Sequence, residues 1–180
     1  MEYTYRENLF NLSQDPSVIH DEHEQDAFNV RLYYSNGTQK VLTQGLGRVT
    51  NGATNIFNIA IESRDASYHF VQKPLYQNLI GTKWDVYHDH EQIGLLKTKL
   101  DVTKDKMWLE LDGEDTVVFE STKLSETTFA YVNDQEIMKI KTQRFSPASQ
   151  HSVEIQTQDW DHALLLGIYQ TFYTFLETTK

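Results

Sequence analysis

The chain contains no cysteine and only 3 prolines among its 180 residues. The lack of cysteine excludes disulfides, thiol catalysis, Cys-ligated zinc and palmitoylation. Basic residues are also scarce, because 16 Lys and Arg stand against 26 Asp and Glu, for a formal net charge of −10. Binding to nucleic acid or to an anionic membrane begins with clustered Lys and Arg, and the chain has no basic run. We therefore expect no nucleic-acid partner.

We expect neither a secretory signal nor a membrane-spanning segment. The opening MEYTYRENLF lacks a basic start followed by an apolar core, so we expect no secretory signal and a cytoplasmic location. A membrane span needs about 20 apolar residues, and the one long apolar stretch is shorter and is interrupted by Gln170, Thr171 and Thr174. Its small residues are spaced as in packed membrane helices. We nevertheless predict a helix buried in protein and not an integral membrane protein, because of its length.

That stretch lies near the end of the chain and predicts a helix over about residues 159–177. Its residues are apolar on most of the helix circumference, which indicates burial on all sides. Small or uncharged polar residues share one narrow stripe where another backbone can approach, namely Ala163, Gly167, Gln170, Thr171 and Thr174. Asp159 is expected to cap the helix, and Asp161 to add negative charge to its first turn.

The rest of the chain predicts short strands. Apolar residues alternate with polar ones over Phe28–Tyr34 and again over Phe57–Ile61, which is the period of a strand with two different faces. Asn36-Gly37 suits a tight hairpin turn, with Lys40–Thr43 as the returning strand.

An internal repeat joins the middle and the end of the chain. Val86–Thr98 matches Ala130–Thr142 at a constant offset (131 − 87 = 44 at the shared tyrosine), and Leu109–Leu111 falls on Val153–Ile155 in the same register. Each copy reads as strand, polar turn, long strand, turn and strand, so the pattern predicts two similar β-meanders.

About a dozen strands with one apolar helix allow few architectures. Strands with one apolar face can curl around the helix, which covers it on every side and removes exposed sheet edges. We therefore predict a mainly β single domain over residues 1–180, with the helix as its core.

Three segments carry a family resemblance. The opening Tyr3–Leu12 with Val18–Glu22, the repeated strands Ile93–Leu100 and Ile137–Phe145, and Val153–Ile155 before the helix resemble the tubby C-terminal-like domains. Within these, the chain is similar to the small bacterial and plant LURP-one-related proteins. The resemblance implies a closed antiparallel β-barrel of about twelve strands wrapped around a central hydrophobic C-terminal helix.

The resemblance implies less about activity. Animal tubby proteins bind phosphoinositides through Lys and Arg, and phospholipid scramblases share the fold, but no matching basic site can be carried over to this chain. No Gly-x-Ser-x-Gly or Ser-x-x-Lys signature is present. We expect a non-enzymatic binding or scaffold module of unknown ligand, without a cofactor, whose partner is a phospholipid or a protein. A helix locked in the barrel would leave no cavity for a small molecule; the alternative is a carrier of a small apolar ligand.

Two residue sets are candidate sites. A basic strip across neighbouring strands could meet a phosphate or lipid head group, and an ordinary outward lysine face is the simpler interpretation. Its members are Lys97, Lys99, Lys139, Lys141 and Arg144.

The second set comprises the two densest groups of metal-ligand residue types, and it would support a metal-dependent hydrolase if the two turns converged. Its histidines are His20, His23, His88 and His90. Solvated hairpin turns are the simpler interpretation, because the second copy of the repeat has Val132, Asn133 and Asp134 in place of His88, Asp89 and His90.

Overall fold

The computed structural model describes residues 1–8, 14–35, 56–74, 81–99, 103–112, 114–122, 126–145 and 148–179. Within these residues, strands alternate inward apolar with outward polar positions, and the inward side chains form one hydrophobic cluster with the helix. The strands are β1 (Glu2–Asn8), β2 (Ser17–Asp21), β3 (Asp26–Tyr33), β4 (Asn58–Glu62), β5 (Ser67–Gln72), β6 (Lys83–His88), β7 (Glu91–Lys99), β8 (Lys104–Leu111), β9 (Glu114–Thr122), β10 (Thr127–Val132), β11 (Gln135–Phe145) and β12 (Ala148–Ile155).

The sheet is a closed antiparallel barrel in which each strand pairs with the next along the chain and β12 pairs with β1. The predicted closed-barrel architecture is therefore confirmed. The alternating segment after Asp26 forms β3, which pairs with β2 and β4. The predicted turn at residues 36–37 and its returning strand at 40–43 lie outside the described residues.

The sequence repeat is also a structural repeat. Strands β6 to β8 and β10 to β12 begin at equivalent positions, and their first hairpins carry a register shift at the same place, between Val86 and Tyr87 and between Ala130 and Tyr131. Both hairpins turn through two residues with positive φ, which are Asp89 and His90 in the first and Asn133 and Asp134 in the second. The predicted β-meanders are therefore confirmed.

One helix, α1 (His162–Thr178), runs through the barrel, and every residue from Ala163 to Leu176 is buried. Its N-cap is Asp161, whose side chain accepts hydrogen bonds from the backbone N–H groups of Ala163 and Leu164. The prediction that Asp159 caps the helix and that Asp161 lies in the first turn was wrong by this short margin. Either aspartate satisfies the local rule, and the packing of the helix start selects Asp161.

The helix lies closest to β4 and β5, on the side where its residues are small. At Gly167, an added Cβ would lie 2.3 Å from Phe70 Cε2 and 2.9 Å from Ile61 Cγ2. Thr171 follows one turn later and donates its hydroxyl back to the Gly167 carbonyl. The small stripe therefore serves close packing, as predicted, although Gln170 projects to a different wall of the barrel.

Candidate functional site

The predicted basic residues do not form one strip. Lys97 and Lys99 lie on β7, whereas Lys139, Lys141 and Arg144 lie on β11. Because β8, β9 and β10 stand between these strands, the two groups are about 19 Å apart along the wall at roughly 4.8 Å per strand.

Lysines from β7 and β8 do meet on the outer surface, together with acidic partners. Lys97 is ion-paired with Glu110, and Lys104 and Lys106 are both paired with Glu120. The Lys106 contact, then desolvation acting in the opposite sense and the Lys104 contact, leave the pKa of Glu120 below its ordinary value. Glu110 and Glu120 therefore neutralise part of the positive charge on this face.

The predicted metal histidines take part in separate local contacts. His20 lies 3.1 Å from Asp26, and the His88 ring stacks on Tyr68 at 4.6 Å between centroids. His23 is exposed in its turn. Across the described parts of the chain, no group of three or more His, Asp or Glu side chains is arranged to hold a metal ion.

A polar seam joins the helix to the opposite wall. Tyr169 and Tyr173, one turn apart on α1, contact side chains of β11 and β12. The Tyr169 hydroxyl lies 2.8 Å from Thr142 Oγ1 and 2.8 Å from His151 Nδ1, and the Tyr173 hydroxyl lies 2.7 Å from Ser149 Oγ. Buried tyrosine hydroxyls need such partners, which explains polar residues at inward strand positions.

The seam continues to β1 through Gln170. Its carbonyl oxygen accepts a hydrogen bond from the Tyr5 hydroxyl at 2.7 Å, and its Nε2 donates to Glu7 Oε1 at 3.0 Å and to Thr174 Oγ1 at 3.2 Å. Burial, followed by the Tyr169 hydroxyl and Glu7, raises the pKa of Tyr5 well above its ordinary value. Tyr5 therefore remains a hydrogen-bond donor at neutral pH.

His151 and Glu7 face each other within this seam. His151 is fully buried, its ring stacks on Tyr5 at 4.4 Å, and its Nε2 lies 3.7 Å from Glu7 Oε2. Neither of these two atoms has a hydrogen-bond partner. Nδ1 of the ring is thus engaged by the Tyr169 hydroxyl, and Nε2 is the nitrogen that faces the carboxylate.

Beside Glu7 the barrel wall is split. β1 pairs with β2 through Tyr3–Tyr5 against Ile19–Asp21. Beyond this point, within the described residues, Arg6–Asn8 pair with β12 alone and the start of β2 pairs with β3 alone. The two strands diverge there, because β1 follows β12 while β2 follows β3.

The split opens into a cleft of about 670 Å³, which we call the β1–β2 cleft. Its buried lining is Tyr5, Val30, Leu32 and Gln170, and its outer lining includes Val18. The volume is within the range of about 300–1,000 Å³ typical of small-molecule sites. The cleft lies in the wall and not along the helix axis, so the expectation that the helix locked in the barrel leaves no cavity for a small molecule stays a prediction.

Charged side chains surround the mouth of the cleft. Arg6, Arg31, Glu7, Asp15 and His20 all line it. Sequence inspection did not identify this site, because the opening depends on where two strands stop pairing. One signal was available: Ser149 and His151 occupy inward positions of β12, where the alternation calls for apolar residues.

The architecture defines a class of protein: a closed β-barrel whose core is a C-terminal helix, with a polar seam and a lateral cleft. The chain belongs to the Tubby C-terminal like domain family, whose model matches residues 3–176. No curated protein and no solved structure matches the chain significantly. The resemblance to tubby-like domains is thus confirmed, and this family is generally non-enzymatic. In the described residues, no helix has both the length and the apolar character required to cross a membrane.

Proposed function

We propose that this protein is a non-enzymatic binding module whose ligand enters the β1–β2 cleft. The observation that supports the proposal is the split wall, which opens a ligand-sized volume onto the buried Gln170. Sites for small molecules are concave and mostly apolar, with a few polar groups that fix orientation. The cleft is concave and has the buried Tyr5, Val30 and Leu32 in its lining, and most of its other lining residues are polar or charged. It unites the binding-module hypothesis with the alternative of a carrier for a small apolar ligand.

The test combines native mass spectrometry with a blocked cleft. Val18 is half-buried in the outer lining, so Val18→Trp adds bulk to the mouth without changing the core. We expect the purified wild type to bind phenylnaphthylamine, a neutral fluorescent probe, with one-to-one stoichiometry, and the folded variant to bind it at least about tenfold more weakly. Equal binding by a V18W variant of unchanged melting temperature would place the probe elsewhere and contradict the proposal.

A second candidate function is attachment to a lipid surface. A row of two aromatic side chains and a valine on the outside of the barrel favours it. Trp108, Val118 and Tyr131 are cross-strand neighbours on β8, β9 and β10, and all are half-buried on the outside of the barrel. Lys97 lies opposite Trp108, and Lys99 next along β7 is exposed. Aromatic rings with lysines suit the interface between water and lipid.

Vesicle sedimentation tests this candidate. We expect the protein to sediment with vesicles that contain phosphatidylserine but not with vesicles of pure phosphatidylcholine. Lys99→Glu should reduce the fraction of protein that sediments. Trp108→Ser is expected to reduce it further. Retention that is absent on both vesicle types, or unchanged in both variants, would exclude this face as a lipid-binding surface.

A further inference from the structure

The acidic groups of the β1–β2 cleft already have partners. Glu7 accepts from Gln170 through Oε1 and turns Oε2 toward His151, where that atom is enclosed by protein. Asp15 also has interactions of its own. The cleft therefore has little acidic capacity left for a cationic ligand.

Among the basic groups, one stands apart. Arg31 donates to Glu62 at 3.2 Å, and His20 lies 3.1 Å from Asp26. Arg6 lines the cleft and is exposed, and it forms no ion pair or side-chain hydrogen bond with any described residue. A guanidinium in this position is suited to two parallel hydrogen bonds with a carboxylate or a similar oxyanion.

The depth of the cleft is apolar. Tyr5, Val30 and Leu32 are buried there, and the Tyr5 hydroxyl is already used in its bond to Gln170. Gln170 Nε2 donates to two protein acceptors, Glu7 and Thr174. The buried part of the lining therefore combines Val30, Leu32 and the Tyr5 ring with a Gln170 amide whose hydrogen bonds are already made.

We propose that the β1–β2 cleft binds an amphipathic organic anion, with its oxyanion at Arg6 and its apolar body against Tyr5, Val30 and Leu32. The inference rests on the proposed function, since it assigns a ligand class to the same cleft. The net charge of −10 repels anions only weakly at this range, because salt screens exposed charges beyond about 8 Å. The apolar body lies against the buried part of the lining, and Arg6 selects the charge.

The experiment compares two fluorescent probes of the same shape. Anilinonaphthalene sulfonate is an amphipathic anion, and phenylnaphthylamine is its neutral counterpart without the sulfonate. Both are titrated into the wild type, Arg6→Gln and Arg64→Gln. Arg64 is an exposed arginine in the turn between β4 and β5, so R64Q makes the same charge change away from the cleft.

We expect R6Q to weaken binding of the anionic probe about tenfold, because it removes one charge-assisted hydrogen bond. The affinity for the neutral probe should not change. R64Q should alter neither. Equal affinity of R6Q and wild type for the anionic probe would overturn the assignment of ligand class. In that case, weaker binding of the neutral probe by V18W would still support the proposed function. Binding of neither probe would overturn both.

Displacement of the bound anionic probe identifies the type of body. Decanoate has a chain and phenylpropanoate a ring, and both carry a carboxylate. Displacement by either supports the proposal and assigns the chain or the ring, with the same dependence on Arg6 expected. Failure of both carboxylates to displace the probe would overturn it.

Discussion

At Gly167 the helix lies too close to the barrel wall for a Cβ atom to fit without a shift. An ordinary helix favours alanine over glycine by roughly 1 kcal/mol. Here the Cβ of alanine would meet the Phe70 ring and the Ile61 side chain. We expect Gly167→Ala to lower the free energy of unfolding by about 1–3 kcal/mol, measured by urea denaturation, because overpacking exceeds the gain in helix propensity.

The matched control relieves the clash. Phe70→Leu removes the ring atoms nearest to Gly167, so G167A should cost less in the F70L background than in the wild type. A G167A protein as stable as the wild type would show that the helix has room to shift away from β5.

His69 provides a pH-dependent contribution at the residue scale. Its ring nitrogens contact the Tyr33 hydroxyl and the Ser67 hydroxyl, and its side chain is half-buried on β5. Burial lowers its pKa below the ordinary 6.5, with Arg31 and His90 acting in the same direction and Glu62 opposing them. The unfolded chain therefore binds the proton more readily.

A lowered folded-state pKa gives stability that is present above pH 6.5 and is lost as the pH falls through the folded pKa. We expect the free energy of unfolding to decrease less between pH 7.5 and pH 5 in His69→Gln than in the wild type. An NMR titration of the imidazole gives the pKa directly. A value at or above 6.5 would contradict the expectation.

At the scale of elements, the helix start is fixed by one aspartate. Asp161 accepts two backbone hydrogen bonds of the first turn through Oδ1 and one from the Tyr68 hydroxyl of β5 through Oδ2. Burial of the phenol, followed by the charge and hydrogen bond of this carboxylate, raises the pKa of Tyr68 well above its ordinary value. The cap therefore ties α1 to the wall as well as starting it.

We expect Asp161→Ala to destabilise the protein by about 1–2 kcal/mol, since it removes an N-cap and leaves the Tyr68 hydroxyl without this acceptor. Asp161→Asn keeps an acceptor oxygen and should cost less. Asp159→Ala is the comparison, and we expect it to change stability by less than about 0.5 kcal/mol. Thermal melting of the three variants measures these differences in stability. Equal losses of stability in D159A and D161A would contradict the assignment of Asp161 as the cap.

At the scale of the whole molecule, the barrel and the helix share one core. All helix side chains from Ala163 to Leu176 are buried, so the helix amides cannot exchange without opening of the barrel. We expect hydrogen exchange over residues 164–176 to be slowed by about 10⁴-fold or more, close to the limit set by global unfolding. Added vesicles should not change it. Rapid exchange that vesicles slow would instead indicate a helix that leaves the barrel.

Much of this architecture was readable from local patterns. Alternation at β3 and β4 predicted strands. The offset between Tyr87 and Tyr131 predicted two meanders, and in the structure their register shifts coincide. A buried helix was predicted because the apolar residues of this segment cover most of the helix circumference. Its cap was missed by two residues, since Asp159 and Asp161 are equally good local candidates.

The candidate site was less predictable. Strand alternation predicts that Lys99 and Lys139 both lie on the outside of the sheet. Only the strand order shows that three strands separate them. The cleft was missed for a related reason: Arg6 reads as an ordinary residue of β1, and nothing local indicates that β2 stops pairing with β1 after Tyr5.

Side-chain periodicity and turn chemistry are local, so the order of the chain was enough to predict about a dozen strands, their repeat and a helix that is apolar on most of its circumference. The position of the helix against β4 and β5, the facing of His151 and Glu7, and the opening at Arg6 depend on residues far apart in sequence. Those features follow from closing the barrel around a helix with one small side and one large side. Only the packed molecule brings the two sides to their walls.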